Sequence, residues 1–170
     1  MNKQVVIALI AVFAIVGIVS WTRSETAASR ARGGPQASVP ASAASPLVPS
    51  ETLYDFGAIS MKNGLAEHRF NITNPTDVPV RLKSVFTSCM CTKAFLDSPA
   101  GVKGPFGMQG MGSVPPADEL IAPGQSREVR VVYDPNAHGP AGVGQINRFV
   151  YLIDDTERVL RLEIKATVTP

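Results

Sequence analysis

From Glu51 onward the dominant hydrophobic period is two, which points the chain to extended strands with one dry and one wet face. The last segment is the clearest, because Leu160, Leu162, Ile164, Ala166 and Val168 alternate with Arg161, Glu163, Lys165 and Thr167. Val129, Val131 and Tyr133 alternate in the same way with Glu128, Arg130 and Val132, and Phe149, Tyr151 and Ile153 alternate with Val150 and Leu152. The pattern predicts further strands at Leu53 to Ala58, Ala66 to Thr73, Val78 to Phe86 and Thr92 to Leu96, giving seven in all. No stretch after residue 50 carries a helical stripe.

The breaks between strands have turn chemistry. Asn74-Pro75-Thr76-Asp77 presets a turn, Pro123-Gly124 bends the chain ahead of a strand, and Asp154-Asp155-Thr156 closes a hairpin. Short strands at this spacing predict an all-β fold, a seven-stranded immunoglobulin-like antiparallel sandwich over residues 51–170. Antibody-type hallmarks are missing, since the only tryptophan is Trp21 and the two cysteines are too close in sequence to join two sheets.

Ahead of the sandwich the composition changes twice. Val5 to Trp21 is 17 residues without a charge, enough for a helix of about 26 Å against a hydrocarbon core of about 30 Å. The run follows Lys3 and precedes Arg23, so residues 1–22 are expected to form a single transmembrane helix or, if cleaved, a signal segment that leaves the domain secreted. Residues 23–50 read as a disordered Ala/Ser/Pro linker whose one large aliphatic pair is Leu47-Val48. The expected location is the cell membrane, with the domain outside the cytoplasm in the periplasm. A formal charge of +2, with +3 on the first fifty residues and −1 on the rest, leaves no basic field for nucleic acid.

The rhythm fails between Asp97 and Asp118, where glycine and proline crowd a loop carrying Phe106, Met108 and Met111. One reading has Phe106 and the methionines covering an edge of the sandwich. Cys89 and Cys91, the only cysteines, would share a face of an extended strand near the upper Cα separation for a disulfide, so bonding them requires a local bend. Three readings stay open for them: a structural pair or disulfide, a soft-metal site for Cu(I) completed by Met108, Met111, Met90 or a histidine, and a thiol-redox site. His68 shares strand parity with Phe70 and Ile72, which predicts an imidazole at the sandwich margin with its tip hydrogen-bonded. His138 falls in a loop and is expected to be solvent-exposed. There is no phosphate-binding loop, no H-E-x-x-H and no G-x-S-x-G, and the carboxylates after residue 50 fall on strand positions and turns expected to be solvated. An enzyme is not expected.

Four clusters resemble a known family. Tyr54-Asp55-Phe56-Gly57, Phe70-Asn71-Ile72-Thr73-Asn74, Ser88-Cys89-Met90-Cys91-Thr92 and Ala122-Pro123-Gly124-Gln125-Ser126 look like the bacterial domain-of-unknown-function family numbered 1573, and more distantly like pilus-chaperone and major-sperm-protein domains. In family members a glycine usually stands where this chain has Met90. The resemblance implies an exported or membrane-anchored, seven-stranded immunoglobulin-like sandwich with no established catalytic activity. The expected function is therefore a membrane-tethered, extracytoplasmic, non-catalytic interaction or scaffold module, attached through residues 5–21 and partnered by another exported or envelope protein. The alternative is the Cu(I) or thiol-redox site on Cys89 and Cys91 with the Met108/Met111 loop.

Overall fold

A computed structural model describes residues 43–170, so the expected anchor over residues 5–21 and most of the linker lie outside the described residues. Among the described residues no helix is long and apolar enough to cross a membrane. Ten strands follow one another: β1 (Val48–Pro49), β2 (Leu53–Ser60), β3 (Ala66–Thr73), β4 (Val80–Thr87), β5 (Thr92–Ser98), β6 (Gly101–Phe106), β7 (Glu119–Ile121), β8 (Ser126–Tyr133), β9 (Gly144–Asp154) and β10 (Val159–Thr169). They form two five-stranded sheets, ordered β1-β3-β8-β5-β6 and β2-β10-β9-β4-β7.

The inner faces close on one core. Phe70 and Ile72 of β3, Val129, Val131 and Tyr133 of β8, and Ala94 and Leu96 of β5 pack against Leu82 and Val85 of β4, Val150 and Leu152 of β9, and Leu162 and Ile164 of β10. Alternation in β8 and β10 runs as the sequence predicts. In β4 the buried set changes phase from Val80 and Leu82 to Val85 and Thr87, because the pairing with β9 shifts between Leu82 and Ser84. A bulge of this kind inserts one unpaired residue and turns the strand over.

Three expectations are corrected. The sandwich is mixed, not wholly antiparallel: β2 runs parallel to β10 while β9 pairs with the other side of β10 in antiparallel register. Side-chain period carries no information on strand direction, which is set by which neighbour a strand finds. Ten strands replace seven because β1 and β7 are only two and three residues long, below the reach of a periodicity argument, and because β6 lies inside the segment expected to be a loop. Finally, the fold begins before residue 51. Ala44 bridges Val159, Leu47 is 2% exposed, and Val48–Pro49 pairs with β3. The Leu47-Val48 pair was the signal, and burying Leu47 gives this segment an apolar hold on the sandwich.

Inside the expected loop, β6 folds back on β5 in a hairpin and buries Phe106 completely. Gly104 permits the close approach of the two strands: it has a φ of +117°, and a Cβ there would stand 2.9 Å from the Ala94 carbonyl oxygen. Phe106 is therefore core, and it does not merely cover an edge. Not all carboxylates are solvated either. Glu119 is buried and holds β7 by ion pairs to Lys103 Nζ at 2.8 Å and Arg127 Nε at 2.6 Å. Burial pushes its pKa up, and the hydrogen bonds from Lys103 and Arg127 more than offset this, leaving it lowered.

Asp154 closes the β9–β10 hairpin as the sequence predicts, but from a fully buried position. Its Oδ1 accepts from Thr156 N, Thr156 Oγ1 and Arg158 N, and its Oδ2 accepts from Arg158 Nε at 2.9 Å. Burial raises the carboxyl pKa; the bonds from Thr156 and Arg158 outweigh it, and the net shift is downward. A depressed folded pKa gives stability that is present above the unfolded value of about 3.9 and is lost as pH falls through the folded value. Asp154→Asn should therefore lower stability at pH 7 and lower it less at pH 3. Urea unfolding midpoints of both proteins at the two pH values check this, and a gap that stays constant refutes it.

Candidate functional site

Two of the connections that cross between the sheets meet at the cysteines. Residues 88–91 link β4 to β5, and residues 134–143 link β8 to β9. Asp134 N donates to Cys91 O at 2.8 Å, tying the two crossings together.

The cysteines do not lie on an extended strand. Thr92 N donates to Cys89 O at 3.1 Å, closing a tight turn that brings the two Cα atoms to 5.3 Å, and Cys89 is disulfide-bonded to Cys91. This turn is the local bend that bonding adjacent same-face cysteines requires. Thr87 anchors it: its buried hydroxyl, with one proton to share, stands 2.9 Å from Cys89 O and 3.1 Å from Thr92 O.

The two sulfurs occupy different surroundings. Cys91 is 2% exposed, whereas Cys89 is half-buried and opens to the surface. His138 Nε2, on the exposed crossing loop, stands 3.2 Å from Cys89 Sγ. Cys91 N donates to the same sulfur at 3.3 Å. On the buried side, Arg148 Nε donates to Cys91 Sγ at 3.2 Å, and Thr92 Oγ1 lies 3.7 Å away. Cys89 Sγ, Cys91 Sγ and a His138 nitrogen all fall within 4.8 Å of one another.

Arg148 reaches the sulfur because of its strand parity. Ile146, Val150, Leu152 and Asp154 of β9 are buried, and Arg148 occupies the same inward phase at the end of the sandwich. Its charge is also felt by Tyr133, whose hydroxyl pKa is raised by burial and partly lowered again by Arg148. The opposite phase of β9 carries Phe149 and Tyr151 on the outer face, where Tyr151 stacks on Phe86 with ring centroids 5.0 Å apart.

The other expected site residues divide. Met108 is half-buried, and its main chain bridges Thr87, two residues before Cys89. Met111 is 55% exposed in the turn beyond it, and Met90 is 46% exposed at the cysteine turn. His68 sits where its parity predicts, bonded through Nε2 to Glu51 Oε1 at 2.8 Å and stacked on Tyr54 with centroids 3.5 Å apart. Arg148 is what sequence reasoning missed, together with which of the two histidines reaches the cysteines. His138 is exposed as expected, but 49 positions separate it from Cys89, and only the meeting of two crossings joins them. Arg148 had a signal in its parity with Val150 and Leu152, obscured because both phases of β9 are largely apolar.

Comparison with one solved structure supports the fold. A protein of unknown function from Porphyromonas gingivalis W83 superposes with a TM-score of 0.53 at 22% identity, over 75% of this chain and 49% of that one. The chain thus spans about half the length of that structure. A PapD-like domain of human CEP192 gives a TM-score of 0.45 at 11% identity over 83% of this chain and 96% of that one. The periplasmic chaperone SfaE gives 0.42 at 11% identity over 73% and 58%. No curated protein matches the sequence. Three of the four sequence clusters fall within residues 47–104, and that segment matches the model of the family described as Protein of unknown function (DUF1573), which bears out the resemblance read from those residues.

Proposed function

We propose that the chain is a non-catalytic interaction module, tethered to a membrane by residues 5–21 with its sandwich outside the cytoplasm, and that it binds another envelope protein along the free edge of β2. The observation that carries this reading is the edge itself. Four strands end the two sheets, and three of them are blunted: β1 has two residues, β7 has three, and β6 carries Pro105 with Lys103 tied to Glu119. Among the described residues β2 has eight residues, no proline, one bulge at Gly57, no strand partner on its outer side, and Leu53 41% exposed. An extended segment can add to such an edge through main-chain hydrogen bonds.

The test is site-specific photo-crosslinking in intact cells, with the probe at Leu53 or Ala58 on β2 and a control at Thr156 in the β9–β10 turn. A discrete adduct from β2 positions, absent from the control and kept when both cysteines are Ser, is expected. The full chain should fractionate with membranes and lose that behaviour when residues 5–21 are deleted. Full-length protein wholly in the cytosol, or equal adducts from β2 and Thr156, would count against the reading.

A further inference from the structure

We propose that the Cys89–Cys91 disulfide is a thiol-exchange site that takes two electrons from an exported dithiol, with Cys89 as the attacked sulfur and Cys91 as the leaving thiolate. The inference is independent of the β2 edge, because it rests on the asymmetry of the two sulfurs.

Exchange proceeds by attack of a thiolate on one sulfur of a disulfide, and its rate depends on access to that sulfur and on how well the other accepts negative charge. Access selects Cys89, since Cys91 is 2% exposed. Charge selects Cys91 as the leaving group. Arg148 Nε–H already points at Cys91 Sγ from 3.2 Å, and a guanidinium beside a sulfur stabilises its thiolate. His138 Nε2, 3.2 Å from Cys89 Sγ, is placed to supply a proton when that sulfur is later released. Both preferences point the reaction the same way.

In the first step the incoming sulfur bonds to Cys89 Sγ, the Cys89–Cys91 bond breaks, and its electron pair leaves on Cys91 Sγ beside Arg148. In the second, the other thiolate of the same dithiol attacks its neighbour in the mixed disulfide. That forms the partner's own disulfide and frees Cys89. The dithiol loses two electrons and two protons. The cysteine pair gains both electrons; one proton reaches Cys89 through His138, which regains one from water, and the other goes to solvent while Cys91 stays a thiolate.

The same donors suggest a competing use, because two sulfurs and an imidazole nitrogen within 4.8 Å could grip a thiophilic cation after reduction. Arg148 decides against it. A fixed positive charge bonded to one sulfur favours a free thiolate there and opposes a second cation.

The oxidised full chain is treated with glutathione, quenched in acid, and mapped by mass spectrometry; separately it is equilibrated in dithiothreitol redox buffers. Glutathione should be trapped on Cys89 in the wild-type protein. In Cys91→Ser, which has no disulfide to open, glutathione disulfide is used instead and should load one equivalent on Cys89 with release of one glutathione thiol, whereas in Cys89→Ser the same exchange at Cys91 should be about tenfold slower or more. Arg148→Gln should slow opening about tenfold and shift the dithiothreitol midpoint toward more reducing conditions, with Arg148→Lys recovering part of both. The wild-type mapping does not depend on any variant folding. Adducts divided equally between the two sulfurs, or a disulfide that dithiothreitol leaves closed, would overturn the proposal. So would stoichiometric, His138-dependent Cu(I) binding by the reduced chain without any glutathione adduct.

Discussion

Phe106→Ala is expected to cost about 3–5 kcal/mol of stability, the range for removing a fully buried aromatic ring, and to lower Tm by about 10 °C or more. The ring is wholly excluded from solvent, at the end of β6 opposite Ala94 in β5. Alanine leaves a cavity that the hairpin is poorly able to close, because Gly104 already brings β6 against the Ala94 carbonyl as tightly as the backbone permits. Met111→Ala, a few residues on but 55% exposed, should change stability by less than about 0.5 kcal/mol. Thermal and urea unfolding of the two variants side by side would settle it. A Phe106 effect as small as that of Met111 would mean that the segment from Gly101 to Phe106 is the loop its composition suggests.

The second large effect is expected at Asn74. Its side chain makes four hydrogen bonds from a fully buried position: Nδ2 donates to Val78 O at 2.8 Å and to Ile121 O at 2.9 Å, while Oδ1 accepts from Thr76 N and from Thr76 Oγ1. One residue thus shapes the turn after β3 and pins it to β7, a strand of the other sheet. Asn74→Ala strands the Ile121 carbonyl among buried groups and should cost about 3 kcal/mol. Asn74→Asp keeps the two bonds to Thr76 but turns an ionised oxygen onto two carbonyls, so at pH 7 it should be no more stable than the alanine variant. If the aspartate protein unfolds at the wild-type urea concentration at pH 7, the bonds to Val78 and Ile121 contribute nothing and the account of this turn is wrong.

These cases show how far the one-dimensional pattern reaches. Asn74-Pro75-Thr76-Asp77 and Asp154-Asp155-Thr156 are legible as turns because the side chains bond their own backbone two residues on. The same side chains also bind across the fold or sit in its core, and no local rule reveals that. The cysteine pair is legible as a chemical feature, and so is the bend it needs. Its character, one sulfur open beside His138 and the other buried beside Arg148, comes from residues 49 and 57 positions away.

Period-two burial along β8 and β10, and with it the all-β class, follows from the order of residues alone, because alternation fixes which side chains leave water whatever the strand's neighbours are. Three features did not follow from it: the parallel seat of β2 against β10, the phase of β9 that turns Arg148 inward and its aromatics outward, and the meeting of two crossings at Cys89. Each depends on which strands become neighbours. That choice is made by packing two sheets over a shared core, a balance among residues distant in sequence that no local period records.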